Sequence, residues 1–270
     1  MAVLVSTASF GGAAAPPEVV RFISEAIIGG SPFANSITRH PTRGTAVFPT
    51  VTSVTGQTWV AEGADLPDLD VGTGAEIVAA SKIGGIVQLT TESIEDVEFN
   101  LQSEVARIVQ DAFSASLDDG LLNGDGTPPN PAGIIGRAAD AAGTNIPDRI
   151  STAIGAMGGA GGSPDTIALG PTPWAAEAFR LDLQERPLYD GFNLTELAGS
   201  TVLVVPAAGA TGLIYDSKGL FLVVGRDWDV RFSDQYAPAF KADKIAMRVT
   251  GRFGIAAPSL GRSVRKFVTT

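Results

Sequence analysis

The chain has 270 residues, 44% of them hydrophobic and 18% charged, with 32 glycines, 17 prolines, no cysteine and a formal net charge of -10. This balance supports a packed, loop-rich core and argues against wholesale disorder, a disulfide frame, a thiolate metal site, or a protein built to grip phosphate backbones. No apolar run reaches the length of a membrane span and no basic region precedes the apolar N-terminal residues, so a soluble intracellular product with no membrane partner is expected.

Residues 1–17 are small and apolar and end on Pro16-Pro17, which reads as an arm with no core of its own. Residues 18–28 carry short helical periodicity through Val19, Val20, Phe22, Ile23 and Ile27 and close at Gly29-Gly30. From 45 to 89 the pattern is β. Val47, Val51, Val54, Trp59 and Val60 make one limb, broken at Gly56, and residues 75–80 and 82–89 make the return. Between the limbs lies a polar tip at 62–70.

A two-stranded ribbon is marginal in water. This one nevertheless carries Phe48, Trp59, Leu66, Leu69, Ile77 and Val78. It either folds back on its own domain or lies on another copy of the protein, and small apolar residues spread along a ribbon favour the second. Phe48, Val54, Trp59, Glu62, Leu66, Leu69 and Ile77 are the candidate inter-subunit contacts.

A short helical turn is expected at 91–96, followed by Asn100 as the N-cap of a long helix. The helix runs from 101 to 122, roughly 33 Å at 1.5 Å per residue, and stops at Asn123-Gly124-Asp125-Gly126. Leu101, Val105, Ile108, Ala112 and Phe113 are read as its core face. Residues 128–143 are loop-rich. Helices are then expected at 146–157 and 174–183, the latter with Pro173 near its first turn, and buried strands at 166–169 and 201–205. Together these form a compact α/β subdomain over 146–216. Strands return at 220–224, 228–233 and 245–255, where Ile245, Met247 and Val249 oppose Arg248, Thr250 and Arg252. Residues 261–270 are basic, and no repeat of fixed period is present.

Reactive constellations are sparse. The sole histidine, His40, lies in a turn-rich region with no nucleophile or orienting carboxylate nearby, and reads better as a surface or interface residue. No G-x-S-x-G elbow occurs. The run Gly158-Gly159-Ala160-Gly161-Gly162 follows a helix rather than a strand and lacks a following Gly-Lys-Ser/Thr, so it reads as a turn and not a phosphate cradle. Asp65, Asp68 and Asp70, and likewise Asp118, Asp119 and Asp125, lack the spacing of an EF-hand. No catalytic, cofactor-binding or metal-binding residue is assigned, and the chain is read as a non-enzyme.

Several segments together resemble the major capsid proteins of tailed bacteriophages, the Hong Kong 97-type shell fold. They are Trp59-Val60-Ala61-Glu62-Gly63 with Leu66-Pro67, Lys82-Ile83-Gly84-Gly85-Ile86 running into Thr91-Glu92-Ser93-Ile94-Glu95-Asp96, and Leu121-Leu122-Asn123-Gly124-Asp125-Gly126 with Pro131-Ala132-Gly133-Ile134. Pro171-Thr172-Pro173-Trp174 keeps the same order downstream. The resemblance implies an α+β fold with an N-terminal arm (1–32), an extended β-hairpin loop (45–82), and a peripheral domain built on the long spine helix (33–44, 83–134 and 217–257). An axial α/β domain (135–216) would be joined by a returning C-terminal tail (258–270).

It further implies self-assembly as hexamers and pentamers into an icosahedral shell around double-stranded DNA, held without sequence-specific contacts, in a virion assembled in the host cytoplasm. A separate scaffolding protein, a portal and, unless arm and loop contacts alone hold the shell, a decoration or cementing protein are the further partners of such a shell. Some members lock the shell with a lysine–asparagine bond made from the extended loop. Here no lysine lies between Thr45 and Ser81, so a shell without covalent cross-links is expected. Because the chain starts almost at the arm, scaffolding is expected from a separate protein or a segment removed beforehand. The alternatives are an encapsulin-type nanocompartment holding protein cargo and, further off, a soluble hydrolase.

Overall fold

The computed structural model describes residues 29–90, 101–182, 184–189, 192–233 and 243–269. The expected arm through residue 28, the turn at 91–96 and Asn100 lie outside the described residues.

Among these residues the strands form three sheets. The first has the order β1 (Thr38–Pro41), β10 (Phe221–Ser233), β11 (Lys244–Ala256), β4 (Ser81–Thr90), with β1 parallel to β10 and the other pairs antiparallel. The second has the order β5 (Ala139–Asp140), β12 (Val264–Val268), β9 (Thr211–Tyr215), β6 (Thr166–Leu169), β8 (Ser200–Val204), β7 (Glu196–Leu197). The third is the ribbon of β2 (Thr45–Thr55) and β3 (Asp70–Ala79). The strands expected at 220–224 and 228–233 are one strand, β10, with register shifts around Arg226 that let it pass its irregular middle without ending.

The four-stranded sheet buries one face. On β11, Met247, Val249, Phe253 and Ile255 point into the core while Arg248 and Arg252 are exposed, as the period-2 alternation predicts. Against that face lies helix α2 (Leu101–Asn123). Phe113 meets Trp228 edge-on at 5.3 Å, and Trp228 lies 4.9 Å from Phe253. The helix inserts Val109, Phe113, Leu117 and Leu121, a strict i, i+4 line, with Leu122 beside it.

The core face is therefore rotated from the expected one. Ile108 is 54% exposed and Ala112 is also exposed, while Phe113 is half-buried in the core. The apolar stripe of the sequence is wider than the contact, and Ile108 sits about 100° around the helix from Val109, on the edge that meets no sheet. The side chains of Leu101 and Val105 lie outside the described set.

The six-stranded sheet carries helix α3 (Ile146–Gly159). Asn145 caps it by accepting from the Asp148 N–H at 2.9 Å, and Ile146, Ile150, Ala153 and Met157 pack on Ile167, Ile214 and Phe267. Helix α4 is Pro171–Ala178, not 174–183: its prolines occupy the first turn, where no N–H is needed, and Phe179 already has non-helical backbone.

The short helix α1 (Pro32–Ser36) has no side-chain cap of its own. Instead Asp118 of α2, itself buried, accepts from the Phe33 N–H at 3.3 Å, the Ala34 N–H at 3.1 Å and the Ser31 hydroxyl. Burial pushes the Asp118 carboxyl above its usual range, and the three hydrogen bonds only partly offset this. At Asp165 the balance is reversed: burial raises it, but donors from the Ser217 hydroxyl (2.6 Å), the Ser217 N–H (2.9 Å) and Thr166 (3.0 Å) hold it below the usual range.

Asp118→Ala leaves the Ser31, Phe33 and Ala34 donors unpaired and is expected to cost about 2–4 kcal/mol, measured by urea unfolding of the unassembled subunit. Asp165 contributes stability that is present above its unfolded pKa and lost as pH falls through the lower folded value. The stability gap between the wild type and Asp165→Asn is therefore expected to be full near pH 7 and to shrink below about pH 4.

Candidate self-association surfaces

Among the described residues the ribbon is anchored at one end only. Ala46 and Phe48 of β2 face the body and pack on Val223 and Ala256, with the Phe48 ring stacked on Phe221 at 5.1 Å. From β3, Glu76 pairs with Arg137 through one carboxylate oxygen and accepts from the Ala257 N–H at 2.9 Å through the other. Beyond Thr50 on β2 every residue is exposed. The strand ends at Gly56, whose φ of +98° and approach to the Asp68 carbonyl leave no room for a Cβ.

The expected contact residues divide accordingly. Phe48, only 8% exposed, is an intrachain anchor and not a contact for a neighbour, because β2 alternates and its even positions near the base face the body. Val54, Trp59, Glu62, Leu66, Leu69 and Ile77 are all exposed; Leu66 is 82% and Ile77 68% exposed, and Trp59 is entirely in solvent. Val47, Val51 and Val71 extend the set. Val47 is the cross-strand partner of Ile77, and Val54 of Val71, so the outward side presents paired apolar residues along its length. The period-2 pattern of residues 45–51 already separates Phe48 from Val47.

A second exposed apolar patch follows α4. Phe179 and Phe192 stack at 5.1 Å, with Leu181 and Leu188 beside them in sequence, all exposed. The loop is built rather than loose, since Asp182 accepts from the Gln184 N–H (2.8 Å) and the Arg186 N–H (2.9 Å). Glu177, buried, accepts from the Tyr189 hydroxyl at 2.7 Å and from Arg180 at 3.2 Å, and burial with that carboxylate pushes the tyrosine up. Reading these residues as a continued helix hid the patch. The Arg186-Pro187 and Asp190-Gly191 turn signals mark it.

His40 lies exposed on β1, its ring 4.9 Å from Phe48, and makes no hydrogen bond to a carboxylate among the described residues. A groove lined by Ser81, Ile83, Leu117, Gly120, Pro131 and Phe253 has a volume of about 250 Å³, below the usual range of small-molecule sites. Among the described residues no group of three metal-ligating side chains converges, and no helix is long and apolar enough to cross a membrane. Lys82, at the foot of the ribbon, is held in β4 opposite Arg252.

The fold matches solved structures from phages and from a capsid particle. One from Mycobacterium phage Bobi superposes with a TM-score of 0.73 at 18% identity, covering 88% of this chain and 90% of that one. One from Gordonia phage Cozz gives 0.73 at 15% identity over 88% and 86%. The capsid of a native GTA particle, computed with C5 symmetry, gives 0.71 at 14% identity over 89% and 90%. No curated protein matches the sequence. The model of the phage capsid family matches residues 11–258, and the chain, an α+β protein with the fold of those structures, belongs to that family.

Proposed function

We propose that the chain is the major capsid subunit of a tailed bacteriophage, self-assembling as hexamers and pentamers into an icosahedral shell that encloses double-stranded DNA. The observation that carries this reading is the ribbon: anchored at its base, it holds Trp59, Leu66 and Leu69 uncovered by any described residue of its own chain, as a surface that meets another copy would be. The patch at Phe179 and Phe192 adds a second, chemically different surface. Two unlike patches on one chain favour head-to-tail contacts, which close into rings when the rotation permits.

In this reading the layout is Hong Kong 97-type. Residues 45–82 are the extended loop. The four-stranded sheet with α2 is the peripheral domain, formed by 33–44, 83–134 and 217–257. The six-stranded sheet with α3 and α4 is the axial domain, 135–216, to which 258–270 return through β12. Residues 1–32 are the arm. The role is structural, with no catalytic turnover, and the subunit resides in the virion after assembly in the host cytoplasm. A separate scaffolding protein, a portal and, where arm and loop contacts do not suffice, a decoration or cementing protein are the partners proposed for such a shell, and packaged DNA is held without sequence-specific contacts, in keeping with a net charge of -10.

Truncating a solvent-facing tryptophan that becomes an interface anchor costs about 2–4 kcal/mol. Trp59→Ala is therefore expected to raise the concentration needed for particle formation by about 30-fold or more, followed by sedimentation, while the melting temperature of the unassembled subunit stays unchanged. Assembly at the wild-type concentration would count against the ribbon as the contact. With no lysine between Thr45 and Ser81, mature particles are expected to run as a single subunit band on denaturing electrophoresis; ladders of joined subunits would refute a shell without cross-links.

A further inference from the structure

A single residue joins the ribbon's return strand to the body. β3 ends at Ala79, paired with Thr45 of β2, and β4 begins at Ser81, paired with Phe253 of β11. Ala80 connects them. A straight continuation of β4 would lie opposite Gly254. The chain instead crosses the face of the four-stranded sheet turned away from α2, the face on which Ala46 and Phe48 pack against Val223 and Ala256.

Two glycines lie beneath the crossing. Gly225 is the extra residue of β10 at the register shift between Val224 and Arg226, and Gly254 stands on β11 opposite Val223. A Cβ on Gly225 would be 2.6 Å from the Ala80 Cβ. One on Gly254 would be 3.1 Å from the Val78 Cγ1 and 3.2 Å from the Ala79 carbonyl oxygen. Neither glycine has a positive φ, so the backbone at both positions accepts an L side chain, and it is the ribbon's root that excludes one. Glycine weakens a strand, and its use at both points marks the close approach of another backbone.

We propose, on the shell reading above, that Gly225 and Gly254 are the seat that sets the angle of the ribbon, and so are positioning residues for self-assembly. The ribbon is held at Ala80, over the glycines, and again four residues back along β3 at Glu76 and its cross-strand partner Phe48. These two holds are about 14 Å apart at 3.4 Å per residue. A methyl on Gly225 must push Ala80 up by about 1 Å to turn 2.6 Å into an ordinary carbon contact. With Glu76 as fulcrum, that lift tilts the ribbon by about 4° and carries Trp59, about 24 Å further on, through about 2 Å. A gap of about 0.5–1 Å already forfeits a quarter to a half of a contact's attraction. The absent side chains therefore decide whether the exposed apolar residues arrive where a neighbouring copy can use them.

The test is made in the full chain. Gly225→Ala is expected to raise the concentration needed for particle formation about tenfold, followed by sedimentation. Adding Ala80→Gly removes the atom that the new methyl meets and is expected to return that concentration to near the wild-type value. A Gly225 that touched a neighbouring copy directly would gain nothing from the second change. As a control for lost stability, Ile167→Val in the core of the other sheet is expected to lower the melting temperature of the unassembled subunit and leave assembly unaltered. Where Gly225→Ala does not fold, Gly254→Ala decides, because its neighbours need give by only a few tenths of an ångström; a rise of about threefold is expected. Assembly of the glycine variants at the wild-type concentration overturns the seat, as does a double variant no better than Gly225→Ala alone. So does an equal loss of assembly in Ile167→Val, which would make stability and not aim the cause. A wild-type chain that stays monomeric removes the shell reading and the seat with it, whereas wild-type particles with indifferent variants remove the seat alone.

Discussion

Glu76 holds together three parts of the chain that are far apart in sequence. It sits on the ribbon, pairs with Arg137 after the spine helix, and accepts from the Ala257 N–H just past β11. A half-buried carboxylate satisfied on both oxygens tolerates little displacement, because moving it strands a charge. The Phe48–Phe221 stack adds an apolar anchor on the same end. These contacts fix the direction in which the exposed apolar strip leaves the body.

The rest of the molecule divides its labour around that anchor. The sheet that receives the ribbon's base is backed by α2 on its other face, so it is stiff where the ribbon joins. The second sheet, with α3 and α4, carries its own core and its own exposed aromatic pair. Tyr215, fully buried on β9, links the two units: its ring meets Phe33 of α1 edge-on at 5.5 Å and its hydroxyl bonds Ser36 at 2.6 Å. A buried aromatic with a satisfied hydroxyl joins neighbouring layers with few alternative packings.

Much of this was legible in residue order, for identifiable reasons. β6 at Thr166–Leu169 and the long alternation of β11 follow from short apolar runs and period-2 patterning. Trp59, Leu66 and Leu69 stand out because they are large and apolar in a segment too thin to bury them. What was not legible depends on tertiary partners. The face of α2 that meets the sheet differs from the centre of its apolar stripe by one residue, since Val109 and not Ile108 finds Trp228's side of the sheet. Nothing local to Asp118 says that it caps another helix 84 residues away. Phe48 was misassigned by composition, although its place in the alternation sets it on the body. The resemblance to phage shell proteins lay in the order of weak motifs, each of them commonplace alone.

The geometry of the ribbon also has a mechanical consequence. Its restraints reach as far as Phe48 and its cross-strand partner Glu76, while Trp59 and Leu66 lie past the seven residues that follow to Thr55, about 24 Å at 3.4 Å per residue. Such an outrigger multiplies angle into distance: each degree of pivot at the root displaces the far end by about 0.4 Å over that length. A pivot of a few degrees that leaves the Glu76 contacts intact would therefore move Trp59 by an ångström or more without disturbing either core.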